Sequence, residues 1–252
     1  MNKWEAYNAL KEDELINSHL PETRLMTEEN LMELLTKYGA VILKPAAGSA
    51  GRGIITISSE GNERLMVQVK LTKKVVTRDD LFSYLTREIL KGFAQYIDSG
   101  EVNKILSETY IVQHRIPLME IDHRPFDIRV MVQRKSETPW KVTGKLAKLA
   151  NYGFVITNVN LGATILPVET TVQRSSLQNL SLQSLLSELD QVALRAVERL
   201  QYNYPGIRVI GFDMCFDTQG KVWIIEANNS PHDNIFLQLE DKTMYETMQS
   251  YK

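Results

Sequence analysis

The chain has 252 residues, with 29 basic and 31 acidic side chains and a formal net charge of −2, a balance that argues against a general nucleic-acid or anionic-membrane surface. Its 43% apolar content is ordinary for a soluble globular protein and is enough to build a core, and the length allows one large domain or two small ones. The single cysteine, Cys215, excludes an intrachain disulfide, no apolar run approaches the ~20 residues of a membrane span, and the N-terminus lacks a signal-peptide core, so a reducing, cytoplasmic setting is expected.

Residues 4 to 17 read as a weakly amphipathic helix, broken by Leu20-Pro21-Glu22-Thr23. Thr27 is an N-cap ahead of Glu28 and Glu29, Leu31, Leu34, Leu35 and Tyr38 form an apolar stripe, and Gly39 ends that helix. Ala40 to Lys44 is a short buried strand. Gly48, Gly51 and Gly53 follow within six residues, together with Ser49 and Arg52. Small residues let backbone N–H groups approach an anion, and Lys44 would add a point charge. The same stretch also reads as a flexible surface hairpin. It is not a P-loop, because no Gly-Lys-Ser/Thr opens a helix. Ile54 to Ile57 is a further strand, so the stretch is a flap between strands.

Leu65 to Val69 and Lys74 to Val76 are strands. Thr77 caps a helix with a stripe of Leu81, Leu85, Ile89 and Phe93, and Gly100 ends that region. Tyr110 to Gln113 is a strand leading into His114-Arg115-Ile116. Phe126 to Gln133 alternates, with Asp127, Arg129 and Met131 on one face and Phe126, Ile128 and Val130 on the other. Asp127 and Arg129 either form an ion pair or hold a nucleotide's ribose and phosphate. Trp140 to Ala150 is a strand carrying Lys141, Lys145 and Lys148. Asn158 to Gly162 is a second small-residue loop. Ser181 to Tyr204 is the longest helix, and its stripe of Leu182, Leu185, Leu186, Leu189, Ala193, Ala196, Val197 and Leu200 is core. The tail from Ile235 to Tyr251 reads as helical, and packing on its own domain is expected ahead of the alternative, a partner-docking helix.

Val209 to Asn229 reads as a hairpin turning at Gln219-Gly220. A two-residue turn there places Asp213 opposite Glu226 and Gly211 opposite Asn228. Asp213, Glu226 and Asn228 then share one face, and Phe212, Met214, Phe216, Trp223 and Ile225 share the core face. Two carboxylates directly across a ladder, with Cβ atoms ~5 Å apart, repel. A divalent cation would relieve that repulsion, and three oxygen ligands with room for water and phosphate suit Mg²⁺. The alternative is a solvated face with a raised carboxylate pKa. Cys215 on the same face reads as a small filler ahead of a nucleophile.

The order of these parts resembles the ATP-grasp superfamily, and most of all its YheC/YheD-type, spore-coat-associated group. The resemblance is carried by Leu20-Pro-Glu-Thr23, Lys44-Pro45, Gly51-Arg-Gly-Ile54, Val112-Gln113, Arg124-Pro-Phe-Asp-Ile-Arg-Val130, Thr157-Asn158 and Ile225-Glu-Ala-Asn228. It implies an α+β, ATP-grasp fold: two α/β subdomains clamping ATP between mixed or antiparallel sheets, over a single ATP-grasp domain spanning 1–252. Residues 1–40 with 120–252 would form the larger subdomain, and 41–119 the smaller one with the glycine flap. Lys3 and Lys44 match the family's nucleotide lysines, and Gly48, Ser49, Gly51, Arg52 and Gly53 its phosphate flap. Gln113, His114 and Ile116 would meet adenine, and Asp127 falls among the polar groups of the cleft. Asp213, Glu226 and Asn228 match its Mg²⁺ ligands, with Mn²⁺ as a substitute. Lys148 stands where members often have arginine, which keeps the charge and loses the bidentate fork. Lys3 lies almost at the N-terminus, so the domain that usually precedes the ATP module is expected to be absent.

The implied function is an ATP- and Mg²⁺-dependent carboxylate–amine ligase working through an acyl phosphate, with Arg129, Lys148 and Lys145 as the catalytic cations. Its expected partners are a small-molecule or peptide carboxylate and an amine donor, with a partner protein or peptide substrate in place of the absent front domain. Neither nucleic acid nor membrane is expected. The alternatives are a non-catalytic ATP-binding scaffold of the spore and a phosphotransferase.

Overall fold

The computed structural model describes residues 1–48, 51–61, 63–90, 99–136 and 138–252. The chain forms two compact units, one from Pro21–Ile116 and the other from Lys3–Leu20 with Pro117–Lys252. Every strand pairing among the described residues is antiparallel.

The smaller unit is built on strands β1 (Thr23–Leu25), β2 (Ala40–Pro45), β3 (Ile55–Ser59), β4 (Arg64–Val69), β5 (Thr72–Thr77) and β6 (Tyr110–His114), in the spatial order β1-β6-β2-β3-β4-β5. The helix Glu28–Tyr38 starts where Thr27 Oγ1 accepts the Asn30 N–H at 3.1 Å and stops at Gly39, whose φ of +70° glycine reaches without a Cβ penalty. Its Leu31, Leu34 and Leu35 pack with Val41, Leu43, Ile57, Val67 and Val112 of the sheet. The helix Arg78–Leu90 begins behind Thr77, as its sequence suggests, and buries Leu81 and Leu85 in the same core. Phe93 lies outside the described residues. Gly100 does not end the region, because it sits in the first turn of another helix, Ser99–Thr109, which buries Val102 and Leu106.

The boundary between the units differs from the sequence expectation. The sequence places residues 21 to 40 in the larger unit, yet β1 pairs with β6 through Thr23 and Gln113, and the helix after it lies in the smaller core. A three-residue edge strand is too short to show a periodic pattern, so the sequence gives no sign of where it docks.

The larger unit contains β7 (Glu120–Ile121), β8 (Arg124–Gln133), β9 (Lys141–Leu149), β10 (Thr164–Leu166), β11 (Val209–Phe216) and β12 (Val222–Asn228). Its sheet runs β10-β9-β8-β11-β12, with β7 paired to β8. One face is apolar. There the helix Leu182–Asn203 sets Leu185, Leu189, Val192, Ala193, Ala196, Val197 and Leu200 against Phe126, Ile128, Val130, Phe212, Met214 and Phe216. Each Leu or Phe fully removed from water here contributes roughly 1.5–3 kcal/mol. The expected helix over residues 4 to 17 is divided into Lys3–Leu10 and Glu14–Asn17, because Asp13 turns to cap the second piece through the Leu15 and Ile16 N–H groups at 3.0 and 3.1 Å.

The opposite face is divided between an apolar end and a charged one. At the apolar end Met131 and Leu146 are covered by Phe236, Leu239 and Met248 of the C-terminal tail, which forms a 3₁₀ turn at Asn234–Gln238 and a helix at Thr243–Gln249. The tail therefore packs on its own unit. Gly144 makes this seating possible, since a Cβ there would lie 2.8 Å from the Phe236 ring. The charged end carries Asp127, Arg129, Lys148 and Asp213. Among the described residues no helix is long and apolar enough to cross a membrane.

Candidate functional site

The charged end is organised by the β11–β12 hairpin. Asp213 stands opposite Glu226 and Gly211 opposite Asn228, as read from the sequence. The path to that register is different. The loop holds three residues, Thr218 to Gly220: Asp217 N–H donates to Lys221 O, and Gly220 turns with φ +85°. A glycine in the left-handed region closing a three-residue loop is a common hairpin solution. Asp217 fixes it by accepting from the Gln219 and Lys221 N–H groups and from Trp223 Nε1 at 2.9–3.1 Å. A bulge at Ile225 then shifts the ladder by one, so that Met214 pairs with Ile224 while Asp213 pairs with Glu226. The core face of β12 is consequently Val222, Ile224 and Ala227, and the expected core residues Trp223 and Ile225 are only partly buried.

Around Asp213 the side chains form a connected ionic cluster. Arg129, directly across on β8, donates from Nε to Asp213 Oδ1 at 2.8 Å and from Nη2 to Oδ2 at 3.2 Å. Lys148 on β9 donates to Asp213 Oδ1 at 2.8 Å and lies 3.2 Å from Asp127 Oδ1. Asp127 Oδ2 accepts a hydrogen bond from Thr157 Oγ1, while among the described residues its Oδ1 has no donor besides that ionic contact. At the far edge Lys3 Nζ lies 3.7 Å from Glu226 Oε1. Three cations thus face three carboxylates, and the side chains of Asp127 and Lys148 are more than nine-tenths buried.

The ionisation of the cluster follows from that burial. Burial alone would raise Asp213, but Arg129 and Lys148 overcome it and hold the carboxyl well below the usual carboxylate range. Asp127 is pushed up to about 6, by burial first and by the Asp213 charge, against the opposing effects of Lys148 and Thr157. Burial would lower Lys148, yet Asp127 and Asp213 raise it above its ordinary value, so it stays charged.

Lys145, expected among the catalytic cations, lies elsewhere. It donates to both carboxylate oxygens of Asp190, at 2.8 and 2.7 Å, and Asp190 belongs to the helix Leu182–Asn203 on the apolar side of the sheet. Lys145 and Lys148 stand three positions apart, an odd step that sends their side chains to opposite faces of a strand. Lys145 is therefore not brought to the cluster and does not stand as a catalytic cation. Thr157, by contrast, joins the cluster through Asp127 without being among the sequence candidates. Its only signal in the sequence is its place before Asn158, since a buried hydroxyl on a loop leaves no periodic trace.

The remaining sequence candidates belong to the smaller unit, where they form their own set. Lys44, 3% exposed, donates to Gln113 Oε1 at 2.7 Å, and Gln113 Nε2 donates to Thr23 Oγ1 at 2.8 Å. His114 stacks on Tyr38 with ring centroids 3.8 Å apart, and burial lowers its pKa. Ile116 is buried. In the flap, Gly48, Gly51 and Gly53 all take positive φ, and a Cβ at Gly53 would lie 2.6 Å from Tyr110 Oη. Arg52 is exposed. Ser49 lies outside the described residues.

The chemistry of Asp213, Glu226 and Asn228 fits a divalent cation. Two carboxylates and an amide oxygen on neighbouring strands form an all-oxygen donor set, and their charge is offset by side-chain cations that an ion could replace. Such an ion would complete its shell with water and phosphate oxygens, as Mg²⁺ does where a protein supplies few ligands.

A family model described as YheC/D like ATP-grasp matches residues 1–252. The chain is 22% identical over 231 residues to the endospore coat-associated protein YheC of Bacillus subtilis (strain 168), covering 91% of this chain and 60% of YheC. It is 26% identical over 238 residues to the endospore coat-associated protein YheD of the same organism, covering 93% of this chain and 49% of YheD. The chain thus spans roughly half of the length of the curated relatives it matches. Among solved structures it resembles the ADP complex of purK, N5-carboxyaminoimidazole ribonucleotide synthetase, with a TM-score of 0.55 and 15% identity over 98% of this chain and 50% of that one. It also resembles the carboxyaminoimidazole ribonucleotide synthase of Aspergillus clavatus complexed with ATP, with a TM-score of 0.54 and 14% identity over 92% of this chain and 45% of that one. At such identities the shared feature is the ATP-grasp fold. With the family model running over both units and the fold shared with nucleotide-bound synthetases, the chain belongs to the YheC/D-like ATP-grasp family.

Proposed function

We propose that this chain is an ATP- and Mg²⁺-dependent ligase that joins a carboxylate to an amine. The observation that carries the reading is the convergence of Arg129 and Lys148 on Asp213, across the ladder from Glu226. A buried site rich in both signs of charge is costly to assemble and is suited to a ligand that is itself doubly charged, such as a metal–polyphosphate. Membership of a family whose fold is shared by synthetases solved with ADP and ATP supports the same reading.

In this reading Asp213, Glu226 and Asn228 hold Mg²⁺, which when bound neutralises and orients phosphate oxygens. Lys3, Arg129 and Lys148 stabilise charge on the transferring phosphoryl group. Lys44 and the flap of Gly48, Ser49, Gly51, Arg52 and Gly53 serve the phosphates, and Gln113, His114 and Ile116 the base. An oxygen of the substrate carboxylate attacks the γ-phosphorus and ADP leaves. The amine nitrogen then attacks the acyl carbon, inorganic phosphate leaves, and the amine's proton passes to solvent. Such chemistry needs positioning and charge neutralisation rather than a protein nucleophile. A place in the spore coat is part of the proposal, supported by the names of the curated relatives.

The test is ADP release by the purified protein against a panel of carboxylates and amines. Release that requires both supports the ligase. Release without an amine, with a stable phosphorylated product, indicates a phosphotransferase. Nucleotide binding with no release under any pairing indicates a scaffold.

A further inference from the structure

We infer that Thr157 is a positioning residue for Lys148, and that through it the loop from Asn151 to Gly162 sets how strongly the protein prefers a nucleoside triphosphate to a diphosphate. The inference rests on the nucleotide reading above and adds to it a residue outside the cation and metal set.

Lysine carries its charge on a flexible four-carbon stem, so its aim is set by what holds the ammonium. Among the described residues Lys148 has two holders: Asp213 Oδ1 at 2.8 Å and Asp127 Oδ1 at 3.2 Å. Asp213 is shared with Arg129 and is a candidate metal ligand, so an arriving cation draws it away from Lys148. Asp127 is then the remaining anchor. Asp127 is 5% exposed, and a carboxylate so deeply placed is costly unless its oxygens find donors. Among the described residues the donor on Oδ2 is the Thr157 hydroxyl.

Thr157 is itself held by a compact loop. Asn151 Nδ2 donates to Leu161 O at 3.2 Å, and Asn158 Oδ1 accepts the Asn160 N–H at 2.8 Å. Gly162 closes the loop with φ +82°, in a space where a Cβ would lie 2.8 Å from Asn151 Nδ2. Surface loops with ends tied together in this way hold their shape. The chain of contacts therefore runs from the loop through Thr157 and Asp127 to the ammonium of Lys148. A group that touches only the last phosphate affects triphosphate and not diphosphate.

The experiment is calorimetric binding of a non-hydrolysable ATP analogue and of ADP, each with Mg²⁺, to the full chain carrying Thr157→Val or Thr157→Ser. Thr157→Val should weaken the triphosphate analogue about tenfold, the size of one hydrogen bond to a charged group, and change ADP by less than about twofold. Thr157→Ser should restore the preference. Should Thr157→Val not fold, Asp127→Asn removes the anchoring charge and should give the same triphosphate-selective loss. Equal losses for both nucleotides, or no loss for either, overturn the inference and leave the nucleotide reading standing. Wild-type protein that binds neither nucleotide overturns both.

Discussion

Asp213 faces Glu226 across the β11–β12 ladder because two departures from a simple hairpin cancel. The loop is one residue longer than a Gln219-Gly220 turn, and Ile225 is one residue extra in the strand. The bulge has a consequence for burial. Ile224 and Glu226, two apart, would lie on one face of a regular strand. With Ile225 inserted, Ile224 is 2% exposed in the core and Glu226 turns to the charged side.

Glu226 is accordingly separable from the fold. Among the described residues its ionic partner is Lys3 at 3.7 Å, and both side chains keep some exposure. Glu226→Ala should leave the thermal midpoint within a few degrees, since such pairs contribute ~1 kcal/mol or less. ADP release should fall about a hundredfold or more. Melting curves and an ADP assay on one preparation check this, and retained turnover would remove Glu226 from the metal set.

Lys145 and Lys148 should behave in opposite ways despite their nearness in sequence. Lys148→Met leaves Asp127 and Asp213 short of a buried cation and should destabilise by about 3 kcal/mol while weakening nucleotide binding. Lys145→Met breaks only the Asp190 pair and should cost roughly 1 kcal/mol, with nucleotide affinity unchanged. Urea unfolding and calorimetry on both variants separate the two roles.

Gly211→Ala tests how closely the loop after β12 lies on the strand beneath it. A Cβ at position 211 would lie 2.5 Å from Pro231 Cβ and 3.3 Å from Met131 Sδ. Pro231 must move, and Asn228, opposite Gly211, moves with it. A destabilisation of about 2 kcal/mol is expected, with weaker Mg²⁺-dependent nucleotide binding. Chemical denaturation and Mg²⁺ titration measure the two effects.

The smaller unit carries a pH-sensitive contribution at Glu22. Burial would raise its carboxyl, but hydrogen bonds from Lys37, Tyr38 and Arg24 hold it at about 2, below the ordinary 4.5. The folded state therefore favours the charged form. That stabilisation is present above about pH 4.5 and is lost as pH falls through 2. Glu22→Gln should lower stability at pH 7 by about 2 kcal/mol, after discounting for partial exposure, and the gap to wild type should close between pH 5 and 2. Unfolding curves at several pH values show whether the gap closes.

The sequence by itself determined the elements with a regular period or a cap: the helix behind Thr27, the alternating strand of Asp127 and Arg129, and the long helix with its leucine stripe. It also determined the family, because the motifs keep their order along the chain. Tertiary structure alone decided three things. It decided that residues 21 to 40 join the smaller unit, because a short edge strand is recruited by its partner rather than by its own pattern. It decided which β12 side chains are core, because a bulge leaves no mark in composition. And it decided which cations meet Asp213, since Arg129 on β8 and Lys148 on β9 are brought to the face of Asp213 on β11 only by strand pairing.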